Sequence, residues 1–297
     1  MTYTAPLGAV LAIAVCTVAP ANAQQARTFV SAVGDDLANC SRSTPCKTFA
    51  GALSKTGLGG EINCLDAGGY GAVTITKSIT LNCEGAAGSI LGSSGIISVT
   101  INAGTGDVSL RNLNFIGNGA STAIRVMAAA TVTLQNVRIN DFLGEGIHVT
   151  PGATNTSIYV RDGAITDVSS AIVLTSSGGT IKAQIDGIRI DGNNTGVMIG
   201  SPNVTASVSN SVIANSGSAL FANGAGTINA TRNILSKNTT GARVGVSGGA
   251  INLSQNAFDD NTTAITFVAG GLVSSAGNNS IIGAPGQAPN AAAIVPR

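Results

Sequence analysis

The sequence predicts an all-β fold built as a parallel solenoid of about 23 residues per coil. Three observations carry this expectation. A polar column recurs at Asn112, Asn136, Asp162, Gly187, Asn210, Asn233, Asn256 and Asn279, at spacings of 24, 26, 25, 23, 23, 23 and 23 residues. A small residue followed by an aliphatic pair at alternate positions keeps the same period, from Ala123-Ile124-x-Val126 through Gly146-Ile147-x-Val149 to Ala264-Ile265-x-Phe267. Between these markers the apolar residues alternate over short stretches, as in Val108-x-Leu110 and Val132-x-Leu134, which is strand periodicity. Helical repeats are excluded, since no capped apolar stretch of helical period lies within the coils.

Composition follows from stacking. The 297 residues include 39 Gly and no Trp, with only 10% charged side chains. Strands about 4.8 Å apart place each residue over its equivalent in the next coil, so aliphatic columns fill a narrow bore and small residues turn its corners. Fifteen basic against fourteen acidic residues leave a net charge of +1, which gives no sequence-wide reason to bind nucleic acid or anionic lipid. No apolar run is long enough to span a bilayer.

Taken in order, residues 1–23 read as an export signal: an apolar run from Leu7 to Ala19, Pro20, then Ala21-Asn22-Ala23 before Gln24. The absence of Lys or Arg before Arg27 departs from the usual positive start. Export to the periplasm, the medium or the cell surface is expected. Residues 24–60 form an N-terminal segment with a capping helix, predicted from Thr44 as N-cap, Pro45 in the first turn, an apolar face of Phe49, Ala52 and Leu53, and an end near Gly57. Four cysteines remain after cleavage, and in an exported chain disulfides are the default. Spacing favours Cys40 with Cys46; Ile62-Asn63-Cys64 and Leu81-Asn82-Cys83 look equivalent, which pairs Cys64 with Cys83 across adjacent coils. Residues 61–283 are the coil stack, in which the repeated Asn is expected to form a ladder and Gly163, Gly187, Gly192, Gly196 and Gly241 to occupy corners of positive φ. Residues 284–297, with three prolines, carry no repeat marker and are expected to be irregular or a partial cap.

Four segments stand apart from the plain repeat: Gly34-Asp35-Asp36 to Asn39-Cys40, Pro45-Cys46-Lys47-Thr48-Phe49, Gly68-Gly69-Tyr70-Gly71-Ala72-Val73-Thr74-Ile75-Thr76-Lys77-Ser78, and Gly277-Asn278-Asn279. With these segments the chain resembles the secreted right-handed parallel β-helix proteins of the pectate lyase-like superfamily, specifically a bacterial group described only as β-helix repeat proteins. The resemblance covers about residues 27–283 and implies a single-stranded, right-handed helix. It implies no single function, because relatives include lyases, hydrolases, adhesins and proteins without assigned activity. Calcium-dependent pectate lyases carry clustered acidic ligands and a catalytic Arg. Polygalacturonases carry Asn-x-Asp, Asp-Asp, Gly-His-Gly and Arg-Ile-Lys segments, of which only Asp259-Asp260 has a match here.

Two candidate sites emerge. Asp141 and Asp167 each lie five residues after the polar column and are expected to stack, as calcium ligands or as turn residues like Asn215, Asn238 and Asn261 at the same offset. Around them Arg125, Arg138, His148 and Asp162 are candidate catalytic groups, Arg125 or Arg138 as base or charge stabiliser. The position between the paired aliphatics should face outward, giving a binding column of Arg125, His148, Val173, Met198, Phe221 and Arg243, three apolar residues flanked by cationic ones. A protein partner, self-association or a loop folded over the stripe would each account for it. Sugar stacking has little to rest on, Tyr70 and Tyr159 being the tyrosines beyond residue 23. The expectation is an exported, non-catalytic scaffold presenting a lateral surface to a partner or extracellular polysaccharide, with no cofactor. The alternative is a polysaccharide lyase or glycoside hydrolase, with calcium as its candidate metal.

Overall fold

The computed structural model describes residues 1–2, 24–283 and 286–291. Nearly all of the predicted export signal and much of the predicted tail lie outside the described residues.

The chain winds into a parallel β-solenoid of about nine turns and about 24 residues per turn. Each turn contributes to three rows of strands. The first row is an 11-stranded sheet from Gln25–Val30 to Leu272–Ser275. The second row runs from Gly68–Gly69 through Leu113–Ile116 and Arg189–Asp191 to Ser280–Ile282. The third runs from Val73–Ile75 through Thr122–Ala128 and Thr195–Ile199 to Thr263–Phe267. Arg138–Val149 and Ala164–Leu174 pass through both of the latter rows and join them into a 17-stranded sheet. Register along the first row, Arg111↔Gln135↔Arg161↔Asp186↔Ser209↔Thr231↔Ser254, fixes the coil lengths. The sheet already begins at Gln25, so the predicted boundary at 61 cuts through the strand Thr56–Cys64.

The bore is filled by aliphatic columns such as Leu110, Leu134, Val160 and Ile185, each at most 3% exposed. Each such side chain contributes roughly 1.5–3 kcal/mol when fully buried. The small residue before the aliphatic pair is explained by proximity to the next coil. A Cβ on Gly196 would stand 2.4 Å from the Ala219 carbonyl oxygen, and one on Gly241 2.5 Å from Phe258 Cδ1. The corner expectation for glycine is therefore corrected in part: Gly187 and Gly192 have positive φ, whereas Gly163, Gly196 and Gly241 serve close approach.

The predicted single polar column separates into two. Asn112, Asn136, Asp162, Gly187 and Asn210 hold positive φ at the corner after the first row, and Arg232 and Gln255 continue that corner. Asn233, Asn256 and Asn279 sit one residue later and point inward. Asn233 N and Nδ2 both donate to Asn256 Oδ1 at 3.0 Å, and Asn256 N and Nδ2 donate to Asn279 Oδ1 at 2.8 and 3.0 Å. The coil from Ser209 to Thr231 is one residue shorter than the marker spacing of 23, and this accounts for the slip. The second corner behaves alike. Asp141, Asp167, Asn215, Lys237 and Asp260 have positive φ, while Asn238 and Asn261 form a buried rung one residue later.

The N-terminal end is closed by the helix Phe49–Lys55, which buries Phe49, Ala52 and Leu53. Its N-cap is Thr48, whose Oγ1 accepts from Gly51 N at 2.9 Å, and not Thr44. Pro45 is held outside the helix because Cys46 pairs in the backbone with Phe29 and Ser31 and closes the Cys40–Cys46 disulfide. Cys64 and Cys83 bridge adjacent coils with Cα atoms 4.7 Å apart. At the C-terminal end residues 286–291 lie along the last coil: Gln287 N donates to Ile265 O, Gln287 Oε1 accepts from Phe267 N, and Asn290 Oδ1 accepts from Val273 N.

Candidate functional site

The third row carries the polar group with the most unusual environment. Its outward column reads Thr74, Thr100, Arg125, His148, Val173, Met198, Phe221, Arg243 and Thr266, each in register with the next. The column expected from strand alternation is thus continuous in space. A neighbouring column at the start of the same row carries hydroxyls, Thr122, Ser170, Thr195, Ser218, Thr240 and Thr263, with Glu145 as its one carboxylate.

Glu145, two residues before Ile147, comes up beside His148. Its Oε1 is 3.9 Å from His148 Nδ1, and its Oε2 accepts from Thr122 Oγ1 at 2.8 Å. His148 Nε2 meets Thr175 Oγ1 at 3.2 Å. Burial lowers the His148 pKa from its ordinary value; Glu145 opposes this and Arg125 adds to it, so the imidazole favours the neutral form. Arg125 Nε and His148 Nδ1 are both buried without a hydrogen-bond partner. Buried polar atoms ordinarily find a hydrogen-bond partner.

The apolar part of the column is not an exposed stripe. Val173 is 4% exposed, Met198 and Phe221 are half-buried, and the Arg243 guanidinium lies 4.6 Å from the centroid of the Phe221 ring. Gly245 makes room for that ring, since a Cβ there would stand 2.7 Å from Phe221 Cε2. Phe221 with Arg243 is therefore one packed unit, a cation over an aromatic face.

The remaining candidates are distributed over other faces. Asp141 and Asp167 stack at successive positions of the corner between the second and third rows, exposed and with positive φ. Calcium takes six to eight oxygen ligands, and two corner carboxylates do not make that shell. Among the described residues no three His, Cys, Asp or Glu side chains gather around one point. Arg138 is exposed at the start of the second row, and Asp162 stands at the corner before that row, beside Asn136 of the preceding coil. Arg125 and His148 come together; Arg138, Asp162 and the two corner aspartates do not join them in one groove. In sequence Glu145 clusters with Asp141, His148, Asp162 and Asp167, and nothing there distinguishes it from its neighbours. The signal that finds it is the hydroxyl column, in which a single carboxylate departs from six Ser and Thr.

The chain is similar to pectate lyase Pel9A, with a TM-score of 0.52 and 13% identity over 85% of this chain and 78% of that one. It is also similar to the GH136 lacto-N-biosidase of Eubacterium ramulus, with a TM-score of 0.46 and 10% identity over 88% and 67% of the two chains. At 13% identity the likeness to Pel9A shows the fold alone, a parallel β-solenoid. No family model matches the chain, and no curated protein does. Among the described residues no helix is long and apolar enough to cross a membrane.

Proposed function

We propose that the chain is an exported, non-catalytic β-helix scaffold whose third row binds an acidic extracellular polysaccharide. The observation that carries this reading is the pairing of the half-buried Arg125 and His148 side chains on adjacent strands of the outward column. Arg recognises a carboxylate through a planar fork, and a carboxylate-bearing sugar matches the part of the Arg125 guanidinium that is open to solvent. Phe221 and Arg243 lie three and four coils further along the same column and extend the surface for a linear polymer. Two disulfides suit an oxidising compartment, which supports export. Non-catalysis is favoured because the other acid, base and metal candidates stand on other faces.

Binding of polygalacturonate and alginate to the wild type and to Arg125→Ala and His148→Thr, measured by affinity electrophoresis, tests this. Retardation by either polymer that is lost in both variants supports the reading. Equal migration of wild type and variants overturns it.

One observation favours a second reading, a polysaccharide lyase or glycoside hydrolase. Glu145, His148 and Arg125 bring a carboxylate, an imidazole held towards its neutral form by burial and a cation within one cluster, the components of general acid–base work on a sugar. Appearance of unsaturated or reducing ends from a panel of uronate and neutral polysaccharides would establish it in place of the scaffold.

A further inference from the structure

The third row brings one cation, one carboxylate and one imidazole together and surrounds them with uncharged side chains. Arg125 and His148 are adjacent in the outward column, with Thr100 before them and Val173 after. Glu145 stands in the neighbouring column, bonded to Thr122 of the preceding coil and in register with Ser170 of the next. His148 lies between the strands Thr122–Ala128 and Ala164–Leu174. The other charged residues of these strands and of its own are Arg138, Asp141 and Asp167, which stand on the second row or at the corner that follows it. With the imidazole neutral, Arg125 and Glu145 cancel and the cluster carries no net charge.

We propose that this is a proton-coupled site, at which a uronate-bearing polysaccharide binds together with a proton taken up by His148, and that Glu145 is the residue that sets the coupling. It rests on the third row being a surface for an acidic polysaccharide, and it adds the condition under which that surface is charged to hold one. A uronate drawn to the Arg125 guanidinium meets the Glu145 carboxylate as well, and like charges brought together repel. One proton changes the sum of the cluster to a single positive charge. The position for it is open: His148 Nδ1 faces Glu145 Oε1 at 3.9 Å without a hydrogen-bond partner, while Nε2 is engaged with Thr175 Oγ1 at 3.2 Å. A proton on Nδ1 turns that approach into an ion pair, which occupies the Glu145 charge and leaves the Arg125 guanidinium to the ligand.

The sign of the dependence follows. In the free protein burial holds His148 towards its neutral form, with Glu145 opposing this and Arg125 adding to it. A bound uronate places a second carboxylate near the imidazole and raises its proton affinity, so the complex carries a proton that the free protein at neutral pH does not. By linkage, affinity rises as pH falls towards and below the ordinary imidazole value of 6.5. The hydroxyl column shows what Glu145 contributes. Ser170, Thr195, Ser218, Thr240 and Thr263 fill its place in the later coils. A hydroxyl at 145 would leave the Arg125 charge without a counter-ion at any pH, and the carboxylate there makes the site answer to protons.

The test is calorimetric titration of the whole chain with polygalacturonate and with alginate at about pH 8 and about pH 5.5, an interval over which carboxyl groups with ordinary values near 4 stay ionised. At 6.5 the titration is repeated in two buffers of different ionisation enthalpy, which counts the protons taken up on binding. The variant is Glu145→Gln, which keeps the side-chain volume and an acceptor for Thr122 Oγ1, and circular dichroism confirms its fold. For the wild type the expected result is net proton uptake and an affinity about fivefold or more higher at the lower pH. Glu145→Gln is expected to bind about threefold or more tightly than the wild type at the higher pH and to gain less than about twofold on acidification. Equal wild-type affinity at both pH values, binding without proton uptake, or a variant indistinguishable from the wild type overturns the coupling and leaves the polysaccharide surface standing. Failure of both polymers to bind at either pH overturns the surface itself, and the coupling with it.

Discussion

His148 and Glu145 sit three residues apart on one strand with Nδ1 and Oε1 at 3.9 Å, yet the imidazole is held towards its neutral form. Burial outweighs the carboxylate, and Arg125 in the adjacent coil reinforces it. A histidine whose folded pKa is depressed binds its proton more weakly in the fold than in the unfolded chain. Its contribution is intact above the ordinary value of 6.5 and is lost as pH falls from there through the lower folded value. The prediction is that wild-type thermal stability declines over this window and that His148→Thr, which restores the residue found at Thr100 and Thr266, flattens the decline. Unfolding midpoints measured on both sides of 6.5 check this; identical pH profiles for the two proteins would refute it.

The inward and corner positions make different demands on the same amide. Asn256 is 2% exposed, accepts from Asn233 N and Nδ2, and donates to Ala230 O. Asn256→Ala leaves these groups unpaired inside the stack and is expected to cost about 2–4 kcal/mol, each orphaned group accounting for roughly 1–3. Asn210 is exposed with φ of 49°, so Asn210→Gly keeps the corner and loses only solvent-exposed bonds to Asp186 and Arg232, an expected cost of about 1 kcal/mol or less. Urea denaturation of both variants decides; similar losses would mean that the two columns are equivalent after all.

Asp141 and Asp167 share their corner with Gly192 and Asn215, all with positive φ. A turn role predicts that Asp167→Gly keeps the midpoint within a few degrees and that calcium or a chelator leaves the wild type unchanged. A calcium-dependent rise in midpoint, lost in Asp167→Gly, would establish these residues as metal ligands.

The Cys64–Cys83 bridge ties two coils near the capped end. Replacing both cysteines by serine is expected to remove about 3 kcal/mol on a chain-entropy estimate for a loop of this length. The shorter Cys40–Cys46 loop is expected to matter less, at about 2 kcal/mol. Denaturation of the two double variants, ranked against each other, is the check.

Much of the fold was legible because identical residues stack on themselves. Ile124, Ile147 and Ile172 occupy one bore position, and the spacing of such residues announces the coil. The slip between Asn210 and Asn233 was not legible, because a coil shortened by one residue looks the same in sequence as an unchanged coil with a displaced Asn. Thr44-Pro45 has the form of a helix start, but tertiary pairing of Cys46 with the first strand overrides it. For the candidate site, alternation identified which residues face outward. It did not reveal that Arg243 folds onto Phe221 or that Val173 is covered, since those depend on neighbours in adjacent coils.

A stack that grows by adding one identical rung to another has no intrinsic length, and its last strand is a template for a stranger's. Gln287 and Asn290 occupy part of that edge, their side-chain amide oxygens accepting from the backbone N–H groups of Phe267 and Val273. Edge groups occupied in this way are withheld from pairing with a strand of a second chain.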